Sequence, residues 1–194
     1  MRIARPALTA LVALGVAVPG AGAVPVTDLG AWDGVGGFRP VAVAGPYVAG
    51  TKVIAVSPDE FGHAARWSAG ALTDLGAIGG VGSNRSSGAL DVNAAGLVVG
   101  VSNTADDFAG EHAFKASAAP LVDLGVFDET VFAPAATARG VNAQGYIVGN
   151  SVRDAGGSDR DQGFRLQDLG VIGLDDTFPA VDPASDVFLF ALSD

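Results

Sequence analysis

The chain has 194 residues and a net charge of −10; it is 49% hydrophobic and 16% charged, and its positive mean hydropathy of +0.39 argues against an acidic disordered chain. It contains no cysteine, which excludes disulfides, zinc–thiolate sites, iron–sulfur clusters and thiol nucleophiles. Its 28 glycines, about twice the average usage of roughly 7%, fit either a turn-rich β protein or a low-complexity chain.

Residues 1–23 have the pattern of a secretory signal peptide. Arg2 and Arg5 precede an apolar run over 7–18, and small residues lead to a cleavage point after Ala23. The run is too short for a bilayer core of about 30 Å. We expect cleavage after Ala23, which changes the net charge from −10 to −12 by removing two arginines. The mature chain is then expected to have no membrane anchor and to be secreted, periplasmic or at the cell surface.

The rest of the chain, residues 24–194, is repetitive. Asp-Leu-Gly occurs four times, at intervals of 46, 49 and 45 residues, beginning at Asp28, Asp74, Asp123 and Asp168. Val-Asn-Ala-x-Gly followed by an apolar run occupies 92–100 and 141–149, with a degenerate copy at 43–50. A third motif begins at His63, His112 and Gln162. Such a period determines the fold before any single residue is considered.

Each repeat is predicted to hold four short strands, A to D. Strand A ends before the Asn-x-x-Gly turn, strand B follows it, strand C is the His-Ala-Phe element, and strand D leads into Asp-Leu-Gly. Helical periodicity is absent after residue 23. Four antiparallel strands repeating every ~40–50 residues are typical of a propeller blade. The predicted units are 39–76, 88–125 and 136–170.

In combination, these motifs resemble the HAF-type extracellular repeat family. The stretch at 70–80, Gly-Ala-Leu-Thr-Asp-Leu-Gly-Ala-Ile-Gly-Gly, is the closest, and the resemblance covers 24–194. It implies an exported bacterial surface or periplasmic protein with a propeller-like fold and no catalytic residues. The third unit departs from the pattern, because Gln162-Gly163 stands where the others have His-Ala.

The two ends of the chain carry partial units. Residues 181–190 align with the strand A, turn and strand B that begin at Val92, while 24–30 supply a strand D alone. The predicted fold is therefore an all-β, propeller-like array of about four antiparallel four-stranded units of 45–49 residues, with the last blade completed by the N-terminal strand. The alternative is an open three-blade array that dimerises or is a fragment.

In such blades, the D–A and B–C connections emerge at one end. They hold 13 of the 21 acidic residues but three basic ones. The acidic residues are Asp33, Asp59, Glu60, Asp106, Asp107, Glu111, Asp128, Glu129, Asp154, Asp159, Asp161, Asp175 and Asp176, and the basic residues are Arg85, Arg153 and Arg160. This end would favour cations or basic partners and repel nucleic acid. Alternatively, these acidic residues have no binding role and lie in loops because exposed loops tolerate charge.

No residue pattern indicates catalysis. His63 and His112 share one position of the repeat, so we expect them to bond backbone or loop within their own units rather than hold a metal. Four serines lack the context of a nucleophile: Ser57, Ser83, Ser102 and Ser151. Asp159-Arg160-Asp161 begins like a calcium loop but lacks the later ligands. We predict no catalytic, cofactor-binding or metal-binding residues, and no cofactor.

Two further repeat positions are predicted to be structural. The aspartate of Asp-Leu-Gly is expected to cap a turn by accepting hydrogen bonds from backbone amides. Trp67, Phe114 and Phe164 are expected to share one position in the core between blades.

The sequence thus predicts an exported, non-enzymatic repeat or binding module that holds a protein, glycan or cation through its acidic loops. The alternatives are a propeller-type enzyme acting on glycans and a degenerate repeat fragment. An enzyme would need residues in one unit that break the repeat and converge. The deviations at 44–46 and at Gln162 are of turn and packing type, which favours binding.

Overall fold

The computed structural model describes residues 27–29, 35–55, 61–82, 85–104, 110–127, 134–154 and 159–167. In these residues the protein is all-β, with eleven strands and no helix. The strands are β1 Phe38–Ala44, β2 Tyr47–Ala55, β3 Phe61–Ser68, β4 Ala71–Gly76, β5 Ser87–Val92, β6 Val98–Asn103, β7 Glu111–Ala116, β8 Val122–Gly125, β9 Ala136–Val141, β10 Tyr146–Asp154 and β11 Asp159–Gln167.

Each sequence repeat forms its own antiparallel sheet. Sheet I contains β1 to β4, sheet II contains β5 to β8, and sheet III contains β9 to β11, with the strands of each sheet adjacent in chain order. Sheets I and II coincide with the first two predicted units. In sheet III the predicted strand D, around 168–170, lies outside the described residues. The glycines of the described Asp-Leu-Gly and Asn-x-x-Gly motifs therefore serve a turn-rich β fold, because Gly76, Gly96, Gly125 and Gly145 lie at fixed places in the sheets with positive φ.

The A–B hairpins form as predicted from their asparagine and glycine. Asn93 Oδ1 accepts hydrogen bonds of 3.0 Å from the backbone amides of Ala95 and Leu97. In sheet III, Asn142 Oδ1 accepts one of 3.0 Å from the Tyr146 amide. The glycine closing the Asn-x-x-Gly turn has φ +83° in both hairpins, a conformation that glycine adopts without steric cost. The turn chemistry thereby fixes the register of strands A and B.

Neighbouring sheets stack face to face and share apolar cores. The core between sheets I and II consists of Ala49, Ala64, Leu75, Ala89, Val92, Val98, Phe114, Ala116 and Leu121. The core between sheets II and III consists of Val99, Ala113, Leu124, Val126, Ala136, Ala138, Val141, Ile147, Phe164 and Leu166. Sheet II contributes Val98 to the first and Val99 to the second, because successive side chains of a strand point to opposite faces.

Strand register corrects the predicted set of core aromatics. Phe114 lies opposite Gly100, and Phe164 lies opposite Gly149. Both rings are fully buried in the cores between sheets, as predicted. In sheet I the residue opposite the corresponding glycine is Ala65, not Trp67. The prediction for Trp67 was therefore wrong: it lies two residues further along β3, at the position that Ala116 holds in β7.

Hydrogen bonds repeat from one pair of sheets to the next. The Ile78 amide donates to Ser102 Oγ at 2.9 Å, and the Phe127 amide donates to Ser151 Oγ at 2.9 Å. In each case the donor lies two residues after the glycine of Asp-Leu-Gly, and the serine is buried in strand B of the next sheet. We call these two contacts the serine ties. They show that sheets II and III stack on their predecessors in the same way.

The stacking gives the molecule two distinct ends. The A–B and C–D turns lie together at what we call the turn end, where Asn93 Nδ2 donates to the Asn142 carbonyl at 2.9 Å. The described ends of the B–C and D–A connections lie at the opposite end, which we call the loop end. There the Glu111 amide of β7 donates to the Pro134 carbonyl at 3.2 Å, in the connection to sheet III. The predicted grouping of connections is thus present in the described sheets.

Candidate functional site

The loop end carries a histidine–aspartate pair in each of the first two sheets. In sheet I, His63 Nδ1 of β3 lies 3.1 Å from Asp74 Oδ1 of β4, and the imidazole is buried. An ionised carboxylate can only accept, so Nδ1 carries the proton. Lys52 Nζ, from β2, donates to the other carboxylate oxygen at 3.1 Å. Three adjacent strands therefore meet at one carboxylate.

The same carboxylate also holds the strand bulge next to it. Asp74 Oδ1 accepts a 2.9 Å hydrogen bond from the Gly76 amide, and Gly76 has φ +79°. The β3–β4 register shifts between Ala64 and Ala65, immediately after His63. This confirms the prediction that the aspartate of Asp-Leu-Gly accepts from backbone amides. It also identifies a side-chain partner of His63 within its own unit, Asp74, which the sequence did not predict.

Sheet II repeats the arrangement in a more open form. His112 Nδ1 lies 2.9 Å from Asp123 Oδ2 and 3.0 Å from Asp123 Oδ1, and Asp123 Oδ1 accepts from the Gly125 amide at 2.7 Å. The position of Lys52 is taken by Ser102, the acceptor of a serine tie. Asp123 is exposed, whereas Asp74 is partly buried. The second pair thus presents its carboxylate to solvent.

The environment of Asp74 favours its charged form. Burial acts to raise the pKa of this carboxyl, but hydrogen bonds from the Gly76 amide and the Lys52 ammonium, together with the charges of His63 and Lys52, outweigh it. The pKa of Asp74 therefore lies below its usual value of 3.8. The Asp74 carboxylate therefore stays ionised at neutral pH and clasps strands β2, β3 and β4 together.

In sheet III a glutamine occupies the histidine position. Gln162 is buried opposite Ser151, and its Nε2 donates to the Gly163 carbonyl at 3.4 Å. The aspartate of the third motif, Asp168, lies outside the described residues. The His–Asp pair is thus a feature of the first two described sheets.

Most of the predicted acidic loop residues lie outside the described part of the chain: Asp33, Asp59, Glu60, Asp106, Asp107, Asp128, Glu129, Asp175 and Asp176. Glu111, Asp154, Asp159 and Asp161 lie in described strands, and Glu111 and Asp154 are exposed. Arg85, one of the three basic residues, donates to the Ile78 carbonyl at 3.0 Å. The described residues therefore place part of the predicted acidic set at the loop end.

The serines and the calcium-like segment have structural places. Ser102 and Ser151 accept the serine ties, while Ser57 and Ser83 lie outside the described residues. Asp159-Arg160-Asp161 is the start of β11, paired along its length with β10, and not a loop. Among the described residues, no group of three or more His, Cys, Asp or Glu side chains is placed to hold a metal ion.

The turn end contains a cleft that sequence reasoning did not predict. It lies between the A–B turns of sheets II and III, with Leu97, Lys115 and Gln144 among its lining residues, and has a volume of about 500 Å³. Between sheets I and II the corresponding space holds Arg66, whose guanidinium stacks 4.9 Å from the Tyr47 ring centroid and donates to the Gly96 carbonyl. One sequence feature could have indicated this cleft: Leu97 and Lys115 in the second repeat stand where the first repeat has Tyr47 and Arg66.

Comparison of the chain with protein-family models, with curated proteins and with solved structures finds no match. Within the described ranges, the protein has no helix of the length and apolarity needed to cross a bilayer.

Proposed function

We propose that the protein is an exported, non-enzymatic repeat module of the bacterial periplasm or cell surface that binds a protein, glycan or cation through its loop end. The observation that supports this most directly is the common orientation of the sheets. Because each sheet stacks on its predecessor in the same way, connections from successive repeats meet at one end, where Glu111 of sheet II bonds the segment leading into sheet III. Loops presented together on a rigid β scaffold are suited to binding.

The proposed architecture is a propeller-like array of about four units. Sheets I to III would be successive blades, and the last blade would be completed by the N-terminal strand D. Face-to-face stacking of sheets I, II and III through shared apolar cores supports this order. An open array that dimerises is the competing arrangement, and the mass of the purified chain in solution separates the two.

Charge is the proposed basis of recognition. The connections at the loop end carry 13 of the 21 acidic residues by sequence. Such a surface attracts cations and basic groups over a distance of about 8–10 Å at physiological salt. We therefore expect a ligand with positive charge, or a cation bound together with a neutral glycan, rather than nucleic acid.

The alternative function is an enzyme acting on glycans at the same end. His112 paired with Asp123 has the geometry of a base held by a carboxylate, and Asp123 is exposed. Binding is favoured because the same pair recurs in sheet I with a buried histidine, where it joins strands β3 and β4. A residue that repeats with the fold serves the fold first.

The direct test is binding of defined probes at low and physiological salt. Calcium chloride, poly-L-lysine and a neutral glycan array would be compared against a chain in which Asp106, Asp107 and Glu111 are replaced by their amides. The control adds three positive charges at the turn end, Ala94→Lys, Ser117→Lys and Gln144→Lys, at exposed positions. Both variants change the net charge equally. Loss of binding in the first variant alone supports the proposal, and no binding of any probe by the parent chain contradicts it.

A further inference from the structure

The face of sheet I that points away from sheet II is left open beside the A–B turn. The equivalent pairs in the other sheets, Val92 with Val98 and Val141 with Ile147, are buried by the preceding sheet; Val92 is 3% and Val141 is 6% exposed. Val43 pairs with Val48 in the same way, yet Val43 is 73% exposed. An apolar position that is buried in two repeats is thus open in the first.

Leu29 indicates what covers this face. It belongs to the first Asp-Leu-Gly and lines a cleft on sheet I together with Pro40, Val43 and Val48. The leucines of the next two copies, Leu75 and Leu124, lie in the cores that cover sheets II and III. Leu29 therefore lies against sheet I as the later leucines lie against the sheets that follow them. A preceding repeat unit, of which Leu29 would be one part, would cover this face as sheets I and II cover the sheets that follow them.

The other part of such a unit is an A–B hairpin. Between sheets I and II, Ala42, Ala44 and Ala49 of strands A and B pack beside Leu75. Between sheets II and III, Val99 of strand B packs beside Leu124. In each interface, an A–B hairpin and a strand D from the same sheet cover the next sheet together.

The sequence at 181–190 has the pattern of this missing hairpin. Val-Asp-Pro-Ala-Ser-Asp-Val-Phe aligns with Val-Asn-Ala-Ala-Gly-Leu-Val-Val at 92–99. The alignment places Phe188 at the position of Val99, whose side chain points to the following sheet, and Val187 at the position of Val98, whose side chain points to the preceding one. Phe188 is thus the residue that would face sheet I.

We propose that segment 181–190 docks on the open face of sheet I, beside the strand containing Leu29, with Phe188 packed on Val43 and Val48. This inference rests on the propeller-like order proposed above and names the surface at which the two ends of the chain meet. The occupant is this chain's own segment. Docking of segment 181–190 from a second copy of the chain would exclude this intrachain contact.

Paired cysteines test the contact, because the chain has no cysteine of its own. The double variant with Val43→Cys and Phe188→Cys is oxidised with diamide at low protein concentration. The products are analysed by non-reducing electrophoresis and intact-mass spectrometry. The control is Val122→Cys with Phe188→Cys, since Val122 is an exposed valine of β8 in sheet II. We expect an intrachain disulfide in the first pair, formed at least tenfold faster than in the control.

Three outcomes overturn the proposal: equal rates in the two pairs, no disulfide in the first pair, or a disulfide between two chains. A second measurement tests the proposal in case the cysteine variants do not fold. Phe188→Asp should lower the melting temperature and raise binding of a hydrophobic dye, whereas Val122→Asp should change neither; equal behaviour of the two contradicts the docking. Ligand binding at the loop end is measured in separate experiments. A negative result for the docking of segment 181–190 therefore does not contradict the proposed binding function.

Discussion

Asp91 and Val141, which are 50 residues apart in sequence, are joined by a 2.8 Å hydrogen bond from the Val141 amide to Asp91 Oδ2. The other carboxylate oxygen of Asp91 accepts from the Val92 amide at 2.8 Å. One side chain in β5 therefore satisfies the backbone of its own strand and that of β9 in the next sheet. Contacts of this kind join the stacked sheets into a single folded unit.

The clasp at Asp74 predicts a loss of stability in acid. Because the folded-state pKa of Asp74 lies below its usual value of 3.8, the carboxylate stabilises the fold fully above that value, and the contribution is lost as pH falls through the folded-state pKa. Asp74→Asn should lower the free energy of unfolding by about 1–3 kcal/mol at pH 7. It should also flatten the fall in stability as pH drops below the usual carboxyl pKa of 3.8. Urea unfolding at several pH values measures both.

The matched control for that experiment is Asp123→Asn in sheet II. Like Asp74, Asp123 contacts a histidine and accepts from a glycine amide, but Ser102 stands at the position of Lys52 and the carboxylate is exposed. Its replacement should therefore cost less than that of Asp74 at pH 7, within about 1 kcal/mol. An equal loss in both variants would contradict the role given to the partly buried cluster of Lys52, Asp74 and His63.

The glycine beneath each core aromatic should not tolerate a side chain. A Cβ on Gly100 would lie 2.0 Å from the Gly88 carbonyl oxygen and 2.9 Å from the Phe114 ring. We expect Gly100→Ala to destabilise the protein by at least about 2 kcal/mol, because both strands would have to move. Gly88→Ala is the control, since its Cβ would approach Thr51 Oγ1 only to 3.5 Å. Similar melting temperatures for the two variants would show that the register at Gly100 is not as described.

The serine ties predict a cost for removing a single hydroxyl between sheets. Ser102→Ala and Ser151→Ala each leave a backbone amide, that of Ile78 or Phe127, without its acceptor, which should cost about 1–3 kcal/mol. Ser117→Ala, at the exposed turn end, should stay within about 0.5 kcal/mol of the parent chain. Chemical denaturation measures the free energy of unfolding of the three variants. If Ser117→Ala lost as much stability as the other two, the role given to the serine ties would be contradicted.

Ligand binding at the loop end should depend on salt. If acidic loops supply the attraction, the affinity for poly-L-lysine should fall by at least tenfold between about 20 mM and 300 mM salt, where the screening length shortens several-fold. The variant with Asp106, Asp107 and Glu111 amidated should show a weaker dependence than the variant with three lysines at the turn end. Titration calorimetry measures the affinities, and an identical slope in both variants would place the attraction elsewhere.

The sequence predicted the strands and their grouping because its turn signals are local. Asn93 with Gly96 fixes one hairpin by bonds within five residues, and the Asp-Leu-Gly bulge closes each described strand D in the same way. The clasp partner of His63 was missed because a side chain across the sheet is not a neighbour in sequence. The signal was present, since His63 and His112 each precede their aspartate by 11 residues.

Side-chain packing could be predicted less well than the strands. Trp67 was assigned to the position of Phe114 because both are aromatic and follow the same motif, whereas the pairing of Lys52 with His63 fixes the alignment and places Ala65 there. The cleft near Lys115 is present because Lys115 and Leu97 do not fill the space that Arg66 and Tyr47 fill in the first repeat. Motif matching does not predict such a difference between side chains at equivalent positions. The acidic loop residues beyond Glu111, Asp154 and Asp161 lie mainly outside the described part of the chain.

The serine ties also bear on how the length of this protein can change. Donor and acceptor are separated by 24 residues in both cases, so each tie is encoded within half a repeat, from the end of one sheet to strand B of the next. A duplicate of sheet II inserted between sheets II and III would bring an acceptor for the sheet before it and a donor for the sheet after it. A copy of the repeat that forms sheet II would therefore keep a serine tie at both new junctions, whereas a copy of sheet I would bring Lys52 in place of the serine acceptor. The choice of the duplicated repeat thus decides whether a longer chain keeps its contacts between sheets.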